Sequence, residues 1–485
     1  MELSSTLFLF LFLPVFLLIY LVSSQRLRLP IVLVASIIFL TWGGKMALFW
    51  LGGILISGYF TGLAIAKAKE KEKGHHSVKW LWAGVGINLA ILSFFKFSAA
   101  YGADGFSRLY LPQNLVVPIS GLAVPIGLSY VTFQMISYLV DVWKGNTPVE
   151  KDFMALSVYL LFFPKLISGP ITRYKPFALQ MEKLNPSVDD VAAGLRRLLA
   201  GFVKRALIAN QLALMANAVF NLPTANIEPK FAWLALIAYT LQIFFDFSGY
   251  TDMAIGLGMM IGFRLPENFD FPYIAQSVSD FWRRWHITLS TWFREYVFYP
   301  LERKRFRWAG QQINILIIFL LTGLWHGFKP TFIVWGLLHG FALAVESFGF
   351  GRWLKQTWRP IQHLYTLIII VAGWVFFRSN TLYFAYWFFR RLAGDTSGLT
   401  LLPFSVTTPV PFIEPSFILA LAAGIFFSLP VSSIWKRMRT SLEKRQENFY
   451  FLFQIFEDVT LVLLFVLGLA MLLSNAFLPN LYAKF

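Results

Sequence analysis

Long apolar runs decide which class of fold this chain can adopt. Ser5–Val22 and Met46–Ala66 are examples, and each is close to the 20 or so residues that a helix needs to cross a bilayer. Of the 485 residues, 57% are hydrophobic and only 14% are charged, whereas soluble domains carry about 25% charge. The sequence therefore predicts an all-α polytopic membrane protein.

Composition also narrows the chemistry and the partners. The chain has no Cys, which excludes disulfides, thiolate metal sites and a cysteine acyl-enzyme. The formal net charge is +17, and in a membrane protein such an excess of Lys and Arg indicates cytoplasmic loops rather than a nucleic-acid partner. The first apolar run is followed by Ser23–Leu29 ("SSQRLRL") instead of a small-residue cleavage site, so we interpret it as a retained span in the lipid bilayer.

Basic clusters predict the topology. Arg26, Arg28 and Lys67–Lys79 follow the first and third apolar runs, which places these residues in the cytoplasm and the amino terminus outside. Tyr101–Asn114 is then an external loop, and Arg264–Gly310 lies at the cytoplasmic face.

Hydropathy predicts about eleven transmembrane helices, with further helices that are re-entrant or interfacial. Leu160–Lys175 contains two prolines and a glycine, which indicates a re-entrant turn surrounded by protein rather than lipid. The Pro-rich stretch 394–415 leaves the number of crossings near it open. We expect one integral membrane domain over 1–485, with a core at about 120–345 and peripheral helices at 1–100 and 361–480.

The segment Ser279–Leu301 ("SDFWRRWHITLSTWFREYVFYPL") mixes tryptophans, arginines and a histidine. Placed on one continuous helix, it has a broad aromatic face and a polar stripe. The stripe consists of Arg283, His286, Ser290 and Arg294. Two interpretations are open: an amphipathic helix at the level of the lipid headgroups, or a cavity wall that contacts an anionic substrate.

Two other histidines lie in apolar runs. His326 ends one run and His339 lies within the next, and an ionisable group inside a membrane is either functional or hydrogen-bonded to a neighbouring helix. A metal site that joins them to His286 is disfavoured, because no helical His–x3–His pair or nearby Glu–x–x–His is present. Asp246 and Asp252 are six residues apart, so we expect separate hydrogen-bonding sites rather than a carboxylate pair.

Several stretches of the chain occur together in one known family. They are "PIGLSYVTFQMISYLVDVWKG", "FFPKLISGPI", "FFDFSGYTDMAIGLG", "PENF", "FWRRWHITLSTWFREYV", "TGLWHG" and "WGLLHG". Through them the chain resembles the membrane-bound O-acyltransferase (MBOAT) family over nearly its whole length, and within it the bacterial alginate O-acetyltransferase branch. The resemblance implies a ring of helices around a central funnel or tunnel, where a cytoplasmic acyl donor meets an acceptor from the other side.

The resemblance also implies that His326 is the principal catalytic residue and that His286 is the second polar residue of the site. We expect His326 to act as the general base for the acceptor hydroxyl. The donor substrate is then acetyl-CoA or another acyl thioester, with no permanently bound cofactor and no metal. Arginines on the polar stripe suit the phosphate groups of such a donor. The predicted substrate-binding residues are Arg283, Ser290, Arg294, Trp325 and His339.

The predicted function is O-acetylation of an exported polysaccharide at the cytoplasmic membrane of a bacterium. Extracytoplasmic acetyl-transferring proteins are the expected partners. Peptidoglycan O-acetylation, and D-alanylation of teichoic acid from a carrier-protein thioester, are alternatives within the same class. Transport of acyl or glycan groups is an alternative of a different class, and it would predict inverted repeats with broken helices at matching positions, which the sequence does not show.

Overall fold

A computed structural model of the chain describes residues 1–42, 44–71, 74–107, 124–304, 310–400, 413–445 and 447–474. These residues form helices and their connections, without a strand among them, which confirms the all-α class. Parts of the predicted external loop Tyr101–Asn114 and of the Pro-rich stretch 394–415 lie outside the described residues. By their internal contacts the described residues divide into two units, 1–198 with 250–267 and 199–249 with 268–474. The single integral domain stays a prediction.

The first unit begins with helices that follow one another closely along the chain. Its helices are Phe8–Phe12 (a π-helix), Leu13–Val22, Gln25–Trp42, Lys45–Glu70, Gly74–Ser107, Leu128–Lys144, Phe153–Leu161, Phe163–Leu166 and Tyr174–Met181. Leu128–Lys144 lies between Gly127 and Gly145, both at φ 81°. Such a left-handed conformation is unstrained only for glycine, so these two residues fix where the helix begins and ends.

The segment predicted to be re-entrant is a broken helix. Asp152 caps Phe153–Leu161 by accepting a hydrogen bond from the Met154 amide at 2.8 Å. The helix stops at Phe162 and is followed by the four-residue helix Phe163–Leu166, with Pro164 in its first turn. Irregular chain continues from there to residue 173. The segment is too short and too interrupted to span a bilayer, as its prolines predict.

Lys165 lies in this broken helix and is completely buried. Its Nζ donates a hydrogen bond to Thr172 Oγ1 at 2.6 Å. The same atom lies 4.3 Å from the ring centroid of Tyr159 and 4.2 Å from that of Phe177. A hydroxyl and two aromatic faces therefore replace water around the ammonium group, which agrees with a segment surrounded by protein.

The second unit contains the candidate site. Its helices are Lys204–Ala209 (π), Asn210–Phe220, Thr224–Asn226 (3-10), Pro272–Ile274 (3-10), Val278–Arg284, Ile287–Phe293, Arg294–Phe298 (π), Tyr299–Glu302, Gly310–His326, Pro330–Val345, Glu346–Phe350 (π), Gly351–Leu354, Arg359–Arg378, Leu382–Leu392, Pro415–Ser428, Val431–Arg445 and Glu447–Ser474. Two long helices, Val188–Val203 and Pro229–Ile261, contribute residues to both units.

Eight helical stretches among the described residues are long and apolar enough to cross a membrane. They are Gln25–Trp42, Lys45–Glu70, His75–Gly102, Val188–Phe220, Pro229–Ile261, Pro330–Leu354, Arg359–Arg378 and Phe449–Ser474. Two shorter apolar helices, Phe8–Val22 and Pro415–Ser428, accompany them. The multi-pass architecture is confirmed, and the count of about eleven stays a prediction.

Asp246 and Asp252 each pair with a different arginine. Arg205 Nε donates to Asp246 Oδ1 at 2.9 Å, and both side chains are almost completely buried. Arg197 contacts Asp252 Oδ1 at 2.9 Å and Glu267 Oε2 at 2.5 Å. The two aspartates therefore stabilise separate places in the fold, as their spacing predicts.

The helices that carry His326 and His339 pack backbone against backbone. A Cβ atom on Gly336 would lie 2.3 Å from the carbonyl oxygen of Phe319, and real Cβ atoms essentially never approach closer than 3.0 Å. A Cβ atom on Gly323 would lie 2.5 Å from the carbonyl oxygen of Phe332. Glycine at both positions therefore sets the distance between Gly310–His326 and Pro330–Val345.

Candidate active site

The segment Ser279–Leu301 is not one helix, so that prediction was wrong. It forms Val278–Arg284 and Ile287–Phe293, which are separated near His286, and continues as the π-helix Arg294–Phe298. His286 has φ 44° and ψ 54°, a left-handed conformation that costs a non-glycine residue about 1–2 kcal/mol. No Gly or Pro occurs at the break, so its cause is tertiary rather than local.

The chain just before the segment supplies that cause. The Asp270 amide donates to the Arg284 carbonyl at 3.0 Å, and the Ile287 amide donates to the Asn268 carbonyl at 3.0 Å. These two bonds lie on either side of His286 and replace bonds that a continuous helix would make. The Asn268 side chain adds a contact to His286 itself, with Oδ1 at 3.1 Å from Nδ1.

His286 is almost completely buried, with 1% of its surface exposed. Its ring meets the Phe247 ring edge to face, with centroids 4.7 Å apart. Burial lowers the pKa of His286 to about 3, because the charged form loses its hydration. The imidazole is therefore neutral at physiological pH, which suits a hydrogen-bonding role toward a hydroxyl or a carbonyl group.

His326 is the last residue of the helix Gly310–His326 and is 5% exposed. Its ring centroid lies 4.5 Å from that of Trp325, 4.9 Å from that of Trp335 and 4.9 Å from that of Phe377. An imidazole held among aromatic rings in this way has a fixed orientation and limited contact with water.

Aromatic contacts connect the three buried histidines. The ring centroids of His286 and Trp325 are 6.3 Å apart, and Trp325 contacts His326. Trp335 lies against both His326 and His339, at 4.9 Å and 5.2 Å. The structure thus places His286, Trp325, His326 and His339, all four named from the sequence, close to one another. Trp325 lies between His286 and His326.

His339 is completely buried on the helix Pro330–Val345. Its ring contacts the Trp282 ring at 5.3 Å, and a Cβ atom on Gly373 would lie 2.6 Å from its Nε2. Neither ring nitrogen has a hydrogen-bond partner among the described residues. His339 is therefore packed tightly next to Trp335, and its predicted role in substrate binding stays a prediction.

A cavity of about 330 Å³ joins the predicted polar residues of the broken segment. Arg283, Ser290 and Arg294 line it together, with walls that are mostly apolar. Thr322, one helical turn before His326, lines it as well. His286 is absent from the lining, so the cavity is lined by three of the four residues of the predicted stripe, and their role in substrate binding stays a prediction. The remaining lining residues are Ser279, Trp282, Leu289, Phe293, Phe298, Tyr299, Ile315, Ile318, Phe319 and Leu343.

The two arginines at this cavity differ in their pairing. Arg283 contacts Asp280 at 3.3 Å and is largely exposed. Arg294 is exposed and makes no ion pair with any of the residues that the structure describes. An exposed guanidinium beside an apolar cavity is suited to an anionic group that remains partly in water.

Sequence reasoning missed the residues that surround the histidines from other parts of the chain. Asn268 lies in the "PENF" stretch, which was noted as a match without a role for its asparagine. Phe247 and Trp335 are aromatic residues among other apolar residues, so a sequence pattern does not single them out. Thr322 lies one helical turn before His326, and that position alone gives it no role. Their proximity to the site depends on the tertiary fold.

Comparison with known proteins identifies the family. The model of the membrane-bound O-acyltransferase family matches residues 148–388. The chain is 41% identical over 387 residues to the probable alginate O-acetylase AlgI of Pseudomonas putida, which covers 79% of each chain. It is 31% identical over 414 residues to the peptidoglycan O-acetyltransferase of Helicobacter pylori, covering 78% of this chain and 77% of that protein.

A third relative matches a smaller part of this chain. The teichoic acid D-alanyltransferase of Bacillus subtilis is 32% identical over 263 residues, which is 52% of this chain and 66% of that protein. All three relatives are named as acyl-transferring enzymes. The region matched by the family model, residues 148–388, contains both His286 and His326. The chain belongs to the membrane-bound O-acyltransferase family and is an O-acyltransferase.

Proposed function

We propose that this enzyme moves an acetyl group from cytoplasmic acetyl-CoA across the membrane toward O-acetylation of an exported polysaccharide. The observation that carries the proposal is the cavity lined by Arg283, Ser290 and Arg294, whose wall includes Thr322 on the helix that ends at His326. Its volume of about 330 Å³ falls within the range of small-molecule sites. Apolar walls accommodate the acyl-pantetheine arm of a thioester, and the exposed arginines suit its phosphate groups.

In the proposed reaction His326 is the general base. Its neutral imidazole takes the proton from the acceptor hydroxyl, whose oxygen forms a bond to the thioester carbonyl carbon. The carbon–sulfur bond then breaks, and the departing thiolate receives the proton as CoA–SH. His286 hydrogen-bonds the acceptor hydroxyl or the thioester carbonyl, and so stabilises the charge that develops there.

The acceptor side rests on the relatives. The probable alginate O-acetylases are named for alginate, and these relatives are about 40% identical to this chain over 79–80% of its length. We place the enzyme in the cytoplasmic membrane of a bacterium, with extracytoplasmic acetyl-transferring proteins as partners. The basic clusters after the first and third apolar runs support an amino terminus outside. Peptidoglycan, or teichoic acid D-alanylated from a carrier-protein thioester, is the alternative acceptor that the other relatives suggest.

Donor identity can be tested with the purified enzyme in proteoliposomes. With labelled acetyl-CoA outside, we expect release of free CoA thiol together with transfer of label to a hydroxyl acceptor. Turnover with an acyl carrier-protein thioester, and none with acetyl-CoA, would overturn the proposed donor. Label that accumulates inside the vesicles as intact acetyl-CoA would indicate transport instead.

The role of the arginines can be tested by comparing two donors. Arg294→Gln should raise the KM for acetyl-CoA about tenfold or more, because a hydrogen bond to a charged group contributes about 1.5–3 kcal/mol. It should leave the KM for acetyl-pantetheine unchanged, since that donor lacks the nucleotide phosphates. Arg359→Gln, at the exposed start of the helix Arg359–Arg378, is the matched control. Equal losses with both donors would contradict a phosphate-binding role for Arg294.

A further inference from the structure

The side-chain oxygen of Asn268 lies within hydrogen-bond distance of three nitrogen or oxygen atoms. Thr288 Oγ1 lies 2.9 Å from it, the Thr288 amide nitrogen lies 3.2 Å from it, and His286 Nδ1 lies 3.1 Å from it. Asn268 itself is only 1% exposed. A buried amide in such surroundings is held in one orientation.

These three contacts determine which atom of the asparagine amide faces His286. A backbone amide can only donate a hydrogen bond, so the atom that faces the Thr288 amide must be the Asn268 oxygen. The same oxygen faces His286 Nδ1, and an oxygen of this kind accepts only. Nδ1 must therefore carry a proton. In the neutral ring this leaves the acceptor lone pair on Nε2.

The backbone of Asn268 supports the same arrangement. Its carbonyl accepts from the Ile287 amide at 3.0 Å, directly after the left-handed residue His286. Asn268 thus contacts the main chain just after the break through its carbonyl oxygen, and the His286 ring through its side-chain oxygen. The Phe247 ring, edge to face at 87° and 4.7 Å, restricts rotation of the imidazole further.

We infer that Asn268 is the positioning residue of His286, and that it fixes the tautomer with Nδ1 protonated, so that Nε2 is the nitrogen offered to the reacting groups. The effect on acyl transfer rests on the proposed function, whereas the tautomer itself does not. A hydrogen bond to the second nitrogen is how proteins select the tautomer and direction of a functional imidazole.

The group that faces His286 Nδ1 is the neutral amide of Asn268, not a charged side chain. On its own segment, Arg284 contacts Asp270 at 3.3 Å and Asp280 at 3.1 Å, and Arg283 also contacts Asp280. Before Asn268 and on the helix of Phe247, Glu267 and Asp252 contact Arg197, and Asp246 contacts Arg205. Arg294 lines the cavity, and the other two buried histidines are reached through Trp325 and Trp282. A neutral amide opposite Nδ1 keeps His286 uncharged, whereas a carboxylate at 268 would favour its protonated form.

The tautomer can be measured without any activity. The chain has six histidines, so solid-state nitrogen-15 spectra of histidine-labelled protein in lipid are simple, and His286→Gln assigns the resonances of His286. We expect His286 Nδ1 in the protonated range and Nε2 in the unprotonated range. In Asn268→Leu, which accepts no hydrogen bond, we expect this single tautomer to be lost. Protonated Nε2 in the unaltered protein, or an unchanged tautomer in Asn268→Leu, would overturn the inference.

Activity gives a second and separate readout. Asn268→Leu should lower kcat for acyl transfer by about 10–100-fold, the size of effect that follows loss of a partner of a functional imidazole. Asn88→Leu is the matched control. Asn88 is also buried, and among the described residues its side chain bonds only to the carbonyl of Gly84 on its own helix. We expect unchanged kcat in that control.

Asn268→Asp distinguishes positioning from a purely structural role, and it also serves if Asn268→Leu fails to fold. Aspartate accepts the same three bonds, so activity should be retained at high pH. Its negative charge raises the pKa of His286, so the nitrogen-15 spectra should show the doubly protonated His286 ring at a pH about 1–3 units higher than in the unaltered protein. An unchanged titration of the His286 resonances would contradict the inference. Absence of acyl transfer in the unaltered protein would instead contradict the proposed function and leave the tautomer measurement to decide this one.

Discussion

Gly336→Ala is the substitution whose effect on the site can be worked out most directly from the structure. The new Cβ atom would lie 2.3 Å from the Phe319 carbonyl oxygen, at least 0.7 Å closer than the 3.0 Å that real Cβ atoms respect. The neighbouring atom is backbone, so no side-chain rotation relieves the clash. The helices Gly310–His326 and Pro330–Val345 must therefore separate by about 0.7–1 Å, which is of the order that reduces catalysis about 10²-fold when it misplaces a reacting group.

The assay is acetyl transfer or CoA release in proteoliposomes, with kcat and KM determined separately. We expect kcat to fall, because His326 ends one of the two helices. The KM for the donor should rise as well, because Phe319 lines the proposed donor cavity. Gly86→Ala is the matched control: a Cβ atom there meets no atom within 4 Å, and alanine favours the helix by about 1 kcal/mol. A folded Gly336→Ala protein with the kcat of the unaltered enzyme would refute the argument that this contact sets the geometry of the site.

Three further substitutions test other parts of the account. Asp246→Asn should lower the free energy of unfolding by about 3–5 kcal/mol, because it removes the carboxylate charge that lies 2.9 Å from the buried Arg205 guanidinium. Unfolding in mixed detergent measures this loss, and a value below about 1 kcal/mol would contradict the argument. Lys165→Met should raise the thermal unfolding temperature, since no carboxylate among the described residues offsets that buried charge; a large decrease would show that its ammonium contacts stabilise the fold. Arg283→Gln should weaken acetyl-CoA binding less than Arg294→Gln does, because Arg283 already contacts Asp280.

The apolar runs, the histidines within them and the clusters of basic residues are features that a sequence pattern can reveal. Hydropathy depends on residues that are adjacent along the chain, so it predicts spans such as Lys45–Glu70 and Arg359–Arg378. It also places His326 and His339 in apolar surroundings, and the structure finds both buried. The number of crossings is harder to predict because short helices such as Pro415–Ser428 lie near the length limit.

The helix break at His286 is what the pattern could not reveal. A helical wheel assumes one constant rotation per residue, and nothing in "RRWHIT" signals a left-handed residue. The break depends on Asn268, which lies 18 residues earlier in the chain. Arg283, Ser290 and Arg294 nevertheless line one cavity. The structure therefore places these three residues together, although the prediction of a single continuous helix was wrong.

The central claim is that His326 is the base that activates the acceptor hydroxyl. The most direct measurement is the rate of acetyl transfer from labelled acetyl-CoA by His326→Ala in proteoliposomes, together with its thermal unfolding temperature and its KM or Kd for the donor. We predict that transfer is abolished while the protein stays folded, inserted and able to bind acetyl-CoA. Transfer at the rate of the unaltered enzyme would contradict the claim.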